Sequence, residues 1–240
     1  MQVIICENKD QIAIEAFKQV KTLLDEKPNA VLGLATGSSP IGLYKELVKA
    51  YKDNEISFKE VKTVNLDEYV GIQSTHSQSY NTFMKEHLFD HVDIKSDNTF
   101  LPNGNADDLE KECDRYEKLL ENLHVDLQVL GIGSNGHIGF NEPDTSFDST
   151  THVIDLAKQT LIDNARFFNH VDEVPKQAIT MGISSILKAK KIILIASGKS
   201  KAKAIKAMIM GPITESVPAS ILQNHQDVVV IVDKEAASEV

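Results

Sequence analysis

Short apolar runs alternate with segments of helical periodicity along almost the whole chain. The apolar runs predict buried strands at "VIICE" (residues 3–7), "AVLGLA" (30–35), "VKTVNL" (61–66), "VDLQVLGIG" (125–133), "IILIAS" (192–197) and "VVVIVD" (228–233). Apolar residues three and four positions apart predict amphipathic helices over residues 10–27, 41–54, 79–92, 106–123 and 199–210. Unbroken apolar strands that alternate with helices are typical of a Rossmann-like α/β fold, with a largely parallel sheet and helices on both faces.

The chain shows no repeat or long linker, and we expect one α/β domain over residues 1–240. Its most interrupted part runs from about residue 145 to 182, with further helices around residues 157–168 and 183–191. Long segments with little regular secondary structure often form lids over active sites. We therefore expect residues 145–182 to form a small lid segment on the main sheet.

Ligands of open parallel sheets bind at the carboxyl ends of the strands. This rule selects the four segments that follow predicted strands: "TGSSP" (36–40), "LDEYVG" (66–71), "GIGSNGHIGFNEP" (131–143) and "SGKSK" (197–201). We expect the functional residues to come from these four segments together.

The glycine spacing in the third segment resembles a dinucleotide-binding motif. Gly131, Gly133 and Gly136 have the spacing G-x-G-x-x-G, but that motif requires a helix to start within it. Here "HIGFNEP" follows, with Gly139 and Pro143 in place of a helix. The spacing therefore does not indicate a nicotinamide or flavin site.

Two other short motifs are incomplete. "SGKS" (197–200) resembles the end of a phosphate-binding P-loop, but Ile193 stands where that loop needs its first glycine. His87 and His91 are one helical turn apart, as in some zinc sites, but the glutamate of that motif and a third ligand are missing. Neither an NTPase nor a metal site is predicted.

The net charge narrows the classes of partner. A formal charge of −10 repels phosphodiester backbones and anionic lipids, so neither nucleic acid nor a membrane surface is an expected partner. An acidic protein binds a small anion only where positive charge is gathered locally. The lysines after the fifth predicted strand are the candidates: Lys199, Lys201, Lys203 and Lys206. Most of this cluster is expected to be a solvated helix face, but one or two lysines near the strand end could reach a phosphate.

The cysteines and the N-terminal residues bear on location. Cys6 and Cys113 are far apart and fit no metal spacing, which favours reduced thiols. The first ten residues lack the pattern of a signal peptide, and no eighteen apolar residues run together. We expect a cytoplasmic protein.

The turn "TGSSP" is a candidate anion site. The backbone amides and hydroxyls of Thr36, Gly37, Ser38 and Ser39 would converge on one point before the next helix, where Pro40 suits the first position. The alternative is an ordinary strand-to-helix turn with Ser39 as the helix N-cap. The residues alone do not favour one interpretation over the other.

Two further segments carry groups that transfer protons. Asp67 and Glu68 lie at a predicted strand end, where one carboxylate is placed for proton transfer; the alternative is an aspartate that caps the loop. Asn135, His137 and Glu142 lie within eight residues on a glycine-rich loop. A carboxylate partner fixes the tautomer of a histidine and raises its basicity, so this loop is a candidate acid–base site.

Five segments together resemble the glucosamine-6-phosphate deaminase family. They are "LATGSSPIGLY", "TVNLDEYVG", "SQSYNTFM", "LGIGSNGHIGFNEP" and "ARFF", and the resemblance runs over nearly the whole chain. It implies conversion of glucosamine 6-phosphate and water to fructose 6-phosphate and ammonia, with neither a redox cofactor nor a metal.

The resemblance also implies roles for individual residues. His137 takes the proton that opens the pyranose ring, assisted by Glu142 and Asn135. Asp67 moves a proton from C2 towards C1 through a cis-enolamine, and hydrolysis of the resulting imine releases ammonia. Histidine suits the first step because its pKa lies near neutrality. The weakly acidic C2 proton needs a carboxylate that is held close and partly desolvated.

The phosphate-binding residues implied by the resemblance come from three places. They are the turn from Gly37 to Ser39, Arg166 of "NARFF" and Lys201 of "SGKSKAK". Arginine offers a bidentate fork and lysine a point charge, which together complement a dianion. Tyr80 of "SQSYN" matches an aromatic residue that closes over the site.

The chain departs from the family pattern at two places. Asn135 stands where some members have aspartate, although other members share the asparagine. His152 and Ile154 stand where members activated by N-acetylglucosamine 6-phosphate carry basic residues, and the C-terminal tail is short. We expect weak or absent activation by this ligand and no hexamer; the sequence leaves open a monomer or another homo-oligomer.

Two other functions compete with the deaminase. A 6-phosphogluconolactonase has the same general architecture and a related Gly-His loop, but it does not need a proton shuttle between C1 and C2. A non-catalytic sugar-phosphate sensor would have no use for Asp67, His137 and Glu142 together. The combination of an acid at residue 67 and the His-Glu loop favours the deaminase.

Overall fold

The computed structural model describes residues 1–156 and 173–240. The strands in these ranges are β1 (Gln2–Cys6), β2 (Val31–Leu34), β3 (Lys62–Asn65), β4 (Asp67–Tyr69), β5 (Thr99–Phe100), β6 (Leu127–Leu130), β7 (His152–Asp155), β8 (Gln177–Thr180), β9 (Lys191–Ala196) and β10 (Val228–Asp233). The α-helices are α1 (Lys9–Glu26), α2 (Ile41–Lys52), α3 (Tyr80–His87), α4 (Leu109–Leu123), α5 (Ile183–Leu187) and α6 (Ala202–Met210). Short 3-10 helices span Phe89–His91, Ser96–Asn98, Lys199–Lys201 and Pro218–Asn224.

Seven parallel strands form the central sheet in the order β1-β10-β9-β6-β2-β3-β5. Every residue of β2, β6 and β10 is buried, because helices cover both faces of the sheet. The six strands predicted from apolar runs are β1, β2, β3, β6, β9 and β10. The predicted α/β class with a largely parallel sheet is confirmed.

A second, smaller sheet was not predicted. Strands β4, β8 and β7 pair antiparallel in that order, and Asp67 lies opposite Thr180 in the register. The sheet covers a small apolar cluster that includes Tyr69 and Phe140. These short strands mix polar and apolar residues, so no apolar run marks them, and the pairing of β4 with β8 joins segments more than a hundred residues apart.

Part of the predicted lid belongs to this second sheet. β7 and β8 both lie within residues 145–182, whereas residues 157–172, with the predicted helix around 157–168, lie outside the described residues. Closure of a lid over the main sheet stays a prediction.

Helix α3 is shorter than predicted. Periodicity predicted a helix over residues 79–92, but α3 ends at His87 and a 3-10 helix follows over Phe89–His91. The helix stops at Leu88, whose φ of −144° is far from the helical value and accompanies complete burial of its side chain. Packing of Leu88 in the core therefore overrides the local helical pattern.

Across the part of the chain that the structure describes, none of the helices combines the length and the apolar character needed to cross a membrane.

Candidate active site

The carboxyl ends of the central strands open into a cavity of about 200 Å³. All four segments selected from the sequence contribute to its wall. The predicted site residues that line it are Thr36, Gly37, Ser38, Ser39, Asp67, Tyr80, His137 and Lys201. Asn135 and Glu142 lie next to His137, and Arg166 lies outside the described residues. The topology of a parallel sheet thus brings distant segments of the chain to one place.

The turn after β2 presents its polar groups to the cavity. Gly37 has a φ of +81°, a conformation that favours glycine, and it turns the chain back towards α2. Pro40 is the N-cap of α2 and no side chain caps this helix, so Ser39 does not have the capping role that an ordinary helix turn would give it. Ser38 and Ser39 line the cavity instead, together with Lys201 from the 3-10 helix that follows β9.

Asp67 is a buried carboxyl group at the cavity wall. It follows β3 closely, as the first residue of β4, and only 6% of its surface is exposed. Burial, with a smaller contribution from the charge of Glu68, raises the pKa of Asp67 to about 8. Once ionised, such a carboxylate is a much stronger base than an aspartate in water.

Only one of the two adjacent carboxylates faces the cavity. Successive residues of a strand point to opposite sides, so Asp67 lines the cavity while Glu68 lies on the far side of β4. Of the two carboxylates, Asp67 is therefore the one that borders this cavity.

The loop after β6 holds a hydrogen-bonded carboxylate–imidazole pair. Nδ1 of His137 lies 3.3 Å from Oε2 of Glu142, and the side chain amide of Asn135 donates to the same oxygen at 2.7 Å. The backbone N–H of His137 donates to Oδ1 of Asn135 at 3.2 Å. Asn135 therefore orients the imidazole through Glu142 and the loop backbone. Glu142 is buried, whereas 22% of the His137 side chain is exposed towards the cavity.

The glycines of this loop make room for the imidazole. A Cβ at Gly133 would lie 2.6 Å from Nε2 of His137 and still nearer to two other ring atoms. Gly136 has a φ of +88°, which turns the chain between Asn135 and His137. The G-x-G-x-x-G spacing thus shapes the loop that carries His137.

Thr180 and Asn141 join the histidine loop to β8 and the residue that follows it, next to the strand of Asp67, and no sequence pattern predicted either residue. The hydroxyl of Thr180 accepts from the backbone N–H of Phe140 at 3.1 Å, and Thr180 lies opposite Asp67 in the small sheet. The side chain amide of Asn141 donates to the carbonyls of Ile138 and Met181. Thr180 had no motif to mark it, because its role depends on the unpredicted pairing of β8 with β4.

Tyr80 and Phe140 form the aromatic part of the cavity wall. The ring of Tyr80 lies 4.8 Å from that of Tyr69 and stacks on Phe140 at 6.2 Å, measured between centroids. Tyr80 and Thr36 line the same cavity, so the aromatic ring borders the turn after β2.

Among the described residues, no group of three or more His, Cys, Asp or Glu side chains could hold a metal ion. The two histidines with zinc-like spacing have other contacts: the ring of His87 packs on Phe83, and His91 hydrogen-bonds to the carbonyl of Glu86.

Comparison with known proteins identifies the family. Residues 7–231 match the family model described as glucosamine-6-phosphate isomerases/6-phosphogluconolactonase. The chain belongs to this family. The resemblance noted in the sequence is thereby confirmed.

Several relatives within this family cover nearly the full chain. A glucosamine-6-phosphate deaminase of Thermoanaerobacter sp. (strain X514) is 54% identical over 239 residues, covering 99% of this chain and 94% of the relative. One of Clostridioides difficile (strain 630) is 52% identical over 240 residues, covering 100% of this chain and 96% of the relative.

Solved structures of the family separate into near and distant relatives. A monomeric glucosamine-6-phosphate deaminase superposes with a TM-score of 0.98 at 50% identity, over 100% of both chains. A 6-phosphogluconolactonase from Leishmania guyanensis superposes with a TM-score of 0.78 at 22% identity, over 100% of this chain and 98% of the other. The second likeness concerns the fold alone.

Proposed function

We propose that this protein is a glucosamine-6-phosphate deaminase, which converts glucosamine 6-phosphate and water to fructose 6-phosphate and ammonia. The observation that carries the proposal is that Asp67, His137 and the polar turn from Thr36 to Ser39 line one cavity. A proton-transfer carboxylate, an imidazole and an anion site within one cavity match the needs of an amino-sugar phosphate. The deaminases that share half of its residues support the same activity.

Ring opening is the first step. His137 removes the proton of the C1 hydroxyl and returns it to the ring oxygen, which leaves an open-chain aldehyde with an amino group at C2. Glu142 supports the imidazole at Nδ1, and Asn135 holds Glu142 in place. This arrangement leaves Nε2 as the nitrogen that exchanges protons with the sugar.

Isomerisation and deamination follow. Ionised Asp67 takes the proton from C2, and the electron pair of the C–H bond forms the C1=C2 double bond. The carbonyl electron pair moves to O1, which takes a proton from solvent, and the product is a cis-enolamine. Protonation at C1 then gives the imine of fructose 6-phosphate, and addition of water to C2 expels ammonia. Because burial raises the pKa of Asp67 to about 8, the carboxylate is basic enough for the first transfer and acidic enough to return the proton.

The phosphate site draws on the turn after β2 and on Lys201. Amides and hydroxyls from Thr36 to Ser39 act as donors, and Lys201 adds a positive charge at the same cavity. Arg166, outside the described residues, is a further donor by the family resemblance.

The experiment that tests the proposed function measures ammonia release from glucosamine 6-phosphate, with 6-phosphogluconolactone hydrolysis assayed in parallel. We expect ammonia release and no lactonase activity. Lactone hydrolysis without ammonia release would support the competing lactonase, and binding of the sugar phosphate without turnover would support a sensor.

For Lys201→Ala we expect KM for glucosamine 6-phosphate to rise about 10- to 100-fold with a small change in kcat. A hydrogen bond to a charged group contributes about 1.5–3 kcal/mol, and the phosphate is bound equally in the ground and transition states. Steady-state kinetics check this prediction. The matched control is Lys199→Ala, since Lys199 is an exposed lysine of the same 3-10 helix that does not line the cavity. Equal KM values in the two variants would contradict a phosphate role for Lys201.

We expect N-acetylglucosamine 6-phosphate to leave the substrate saturation curve unshifted. His152 and Ile154, which replace basic residues of activated members, lie on β7. A solved relative that is 50% identical is described as monomeric, which fits a chain without subunit-mediated activation. Initial rates with and without the ligand check this, and a leftward shift of the curve would contradict it.

Cys6 and Cys113 are both free and buried. Reduced thiols of this kind are compatible with the predicted cytoplasmic location.

A further inference from the structure

Glu68 is a buried carboxylate that the proposed chemistry does not use. It is 4% exposed and accepts three backbone N–H groups: from Tyr69 at 2.9 Å, from Tyr80 at 3.0 Å and from Asn81 at 3.1 Å. Burial raises the pKa of Glu68, and these three donors offset part of that rise because they favour the ionised form. The position of Glu68 is therefore determined by the groups that it binds.

Two of these donors open helix α3. Tyr80 and Asn81 are the first two residues of α3, whose N–H groups have no partner within the helix. The N–H of the third residue, Thr82, donates to the hydroxyl of the N-cap Ser79 at 3.1 Å. Glu68 thus accepts the first two N–H groups of the helix and Ser79 accepts the third. The negative charge of Glu68 also interacts favourably with the positive end of the helix dipole.

This contact connects the two sides of the cavity. Glu68 is adjacent to Asp67 on β4, and on the opposite face it fixes the backbone of Tyr80 at the start of α3. From that point the side chain of Tyr80 lines the cavity together with Thr36, on the turn assigned to the phosphate. A shift of the first turn of α3 would move Tyr80 relative to both Thr36 and Asp67.

We propose that Glu68 is a positioning residue of the reaction: by holding the first turn of α3, its carboxylate sets the place of the Tyr80 side chain over the bound sugar phosphate. The inference rests on the proposed function, since it assigns Tyr80 a contact with the substrate. Glu68 acts through Tyr80 and does not itself reach the cavity.

The test is a double-mutant cycle on kcat/KM with Glu68→Gln, Tyr80→Phe and the double variant. The neutral amide of glutamine cannot accept all three N–H groups as the carboxylate does, so the first turn of α3 shifts. We expect Glu68→Gln to lower kcat/KM about 10- to 100-fold, because small displacements of positioning groups have effects of this size. The loss should divide between kcat and KM as it does in Tyr80→Phe, and the double variant should be little worse than Glu68→Gln alone.

Ser79→Ala is the matched control for helix capping. It removes the other capping group of α3 but leaves the hydrogen bond from Tyr80 to Glu68, so we expect a lower melting temperature with kcat/KM within about threefold of the wild type. Glu68→Asp keeps the charge with a shorter reach, and it replaces the glutamine variant if that protein does not fold.

The outcomes separate this inference from the proposed function. If the wild type releases no ammonia from glucosamine 6-phosphate, the function itself is wrong. If the wild type is active and a folded Glu68 variant keeps its kcat/KM, the positioning role is overturned. Fully additive losses in the double variant would also overturn it, because Glu68 would then act independently of Tyr80.

Discussion

Asp67→Asn is expected to lower turnover of glucosamine 6-phosphate by about 10²- to 10⁴-fold, the range typical of removing a general acid or base. The asparagine has nearly the same shape but cannot accept the C2 proton, so binding of fructose 6-phosphate, measured by calorimetry, should survive. In the wild type, kcat/KM should rise with pH through a pKa of about 8, because Asp67 must be ionised to act as the base. If the Asp67→Asn variant turned over substrate at a rate near that of the wild type, Asp67 would have no place in the mechanism.

The same variant should also change stability in a pH-dependent way. The folded protein keeps the Asp67 proton up to about pH 8, whereas an unfolded chain releases it near the ordinary value of 3.8. The folded state therefore binds more protons between these two values, and Asp67 lowers the free energy of unfolding as pH rises through that window. We expect the Asp67→Asn variant and the wild type to have similar free energies of unfolding near pH 4, and the variant to have the higher one at pH 8.

Melting temperatures at several pH values check this second effect. The matched control is Asp155→Asn, which makes the same change of side chain at an exposed aspartate in the same small sheet. If the stability of the Asp67→Asn variant relative to the wild type did not vary with pH, burial would not raise the pKa of Asp67.

Gly133→Ala should reduce ammonia release almost as far as His137→Ala does, about 10²-fold. The added methyl would occupy the space of the imidazole, while the backbone conformation at Gly133 is one that alanine accepts. The ring must therefore swing away from Glu142, and catalysed ring opening is lost. Some substrate opens unaided in water, so the loss should be smaller than for Asp67→Asn.

A double variant distinguishes this mechanism from general damage to the loop. If Gly133→Ala acts by displacing the ring, then adding it to His137→Ala should cost little more in kcat/KM. Gly131→Ala is the matched control, since its methyl would meet the Ser39 side chain at an ordinary 3.6 Å and should cost far less. Losses that multiply in the double variant would contradict the displacement mechanism.

Much of the site could be predicted from the sequence because its groups lie in short segments directly after apolar strands. Asp67 follows β3 and His137 follows β6, so the strand-end rule alone selects both. The glycine spacing was deceptive for a physical reason. A nucleotide-binding loop needs glycine so that the cofactor can approach the backbone closely. In this loop the imidazole of His137 occupies the space that a side chain at Gly133 would fill.

Other features depended on contacts between distant residues. The anion turn and the ordinary helix turn were equally good interpretations of "TGSSP". The start of α2 has no side-chain cap, which removes the capping role of Ser39, and the anion site stays a prediction. Thr180 is remote from the histidine loop along the chain, and only the pairing of β8 with β4 brings it there. Residues of this kind carry no local pattern.

The sequence by itself determined the α/β class, the family and the four segments that line the cavity. The spacing of apolar residues shows which faces of the helices and strands are buried. Each of the four polar segments directly follows, in the sequence, the strand whose end carries it. Only the tertiary structure decided which carboxylate of the pair at residues 67 and 68 faces the cavity, and what the other one holds. That choice depends on which side of β4 packs against α3, and packing between elements is settled by the whole chain rather than by any segment of it.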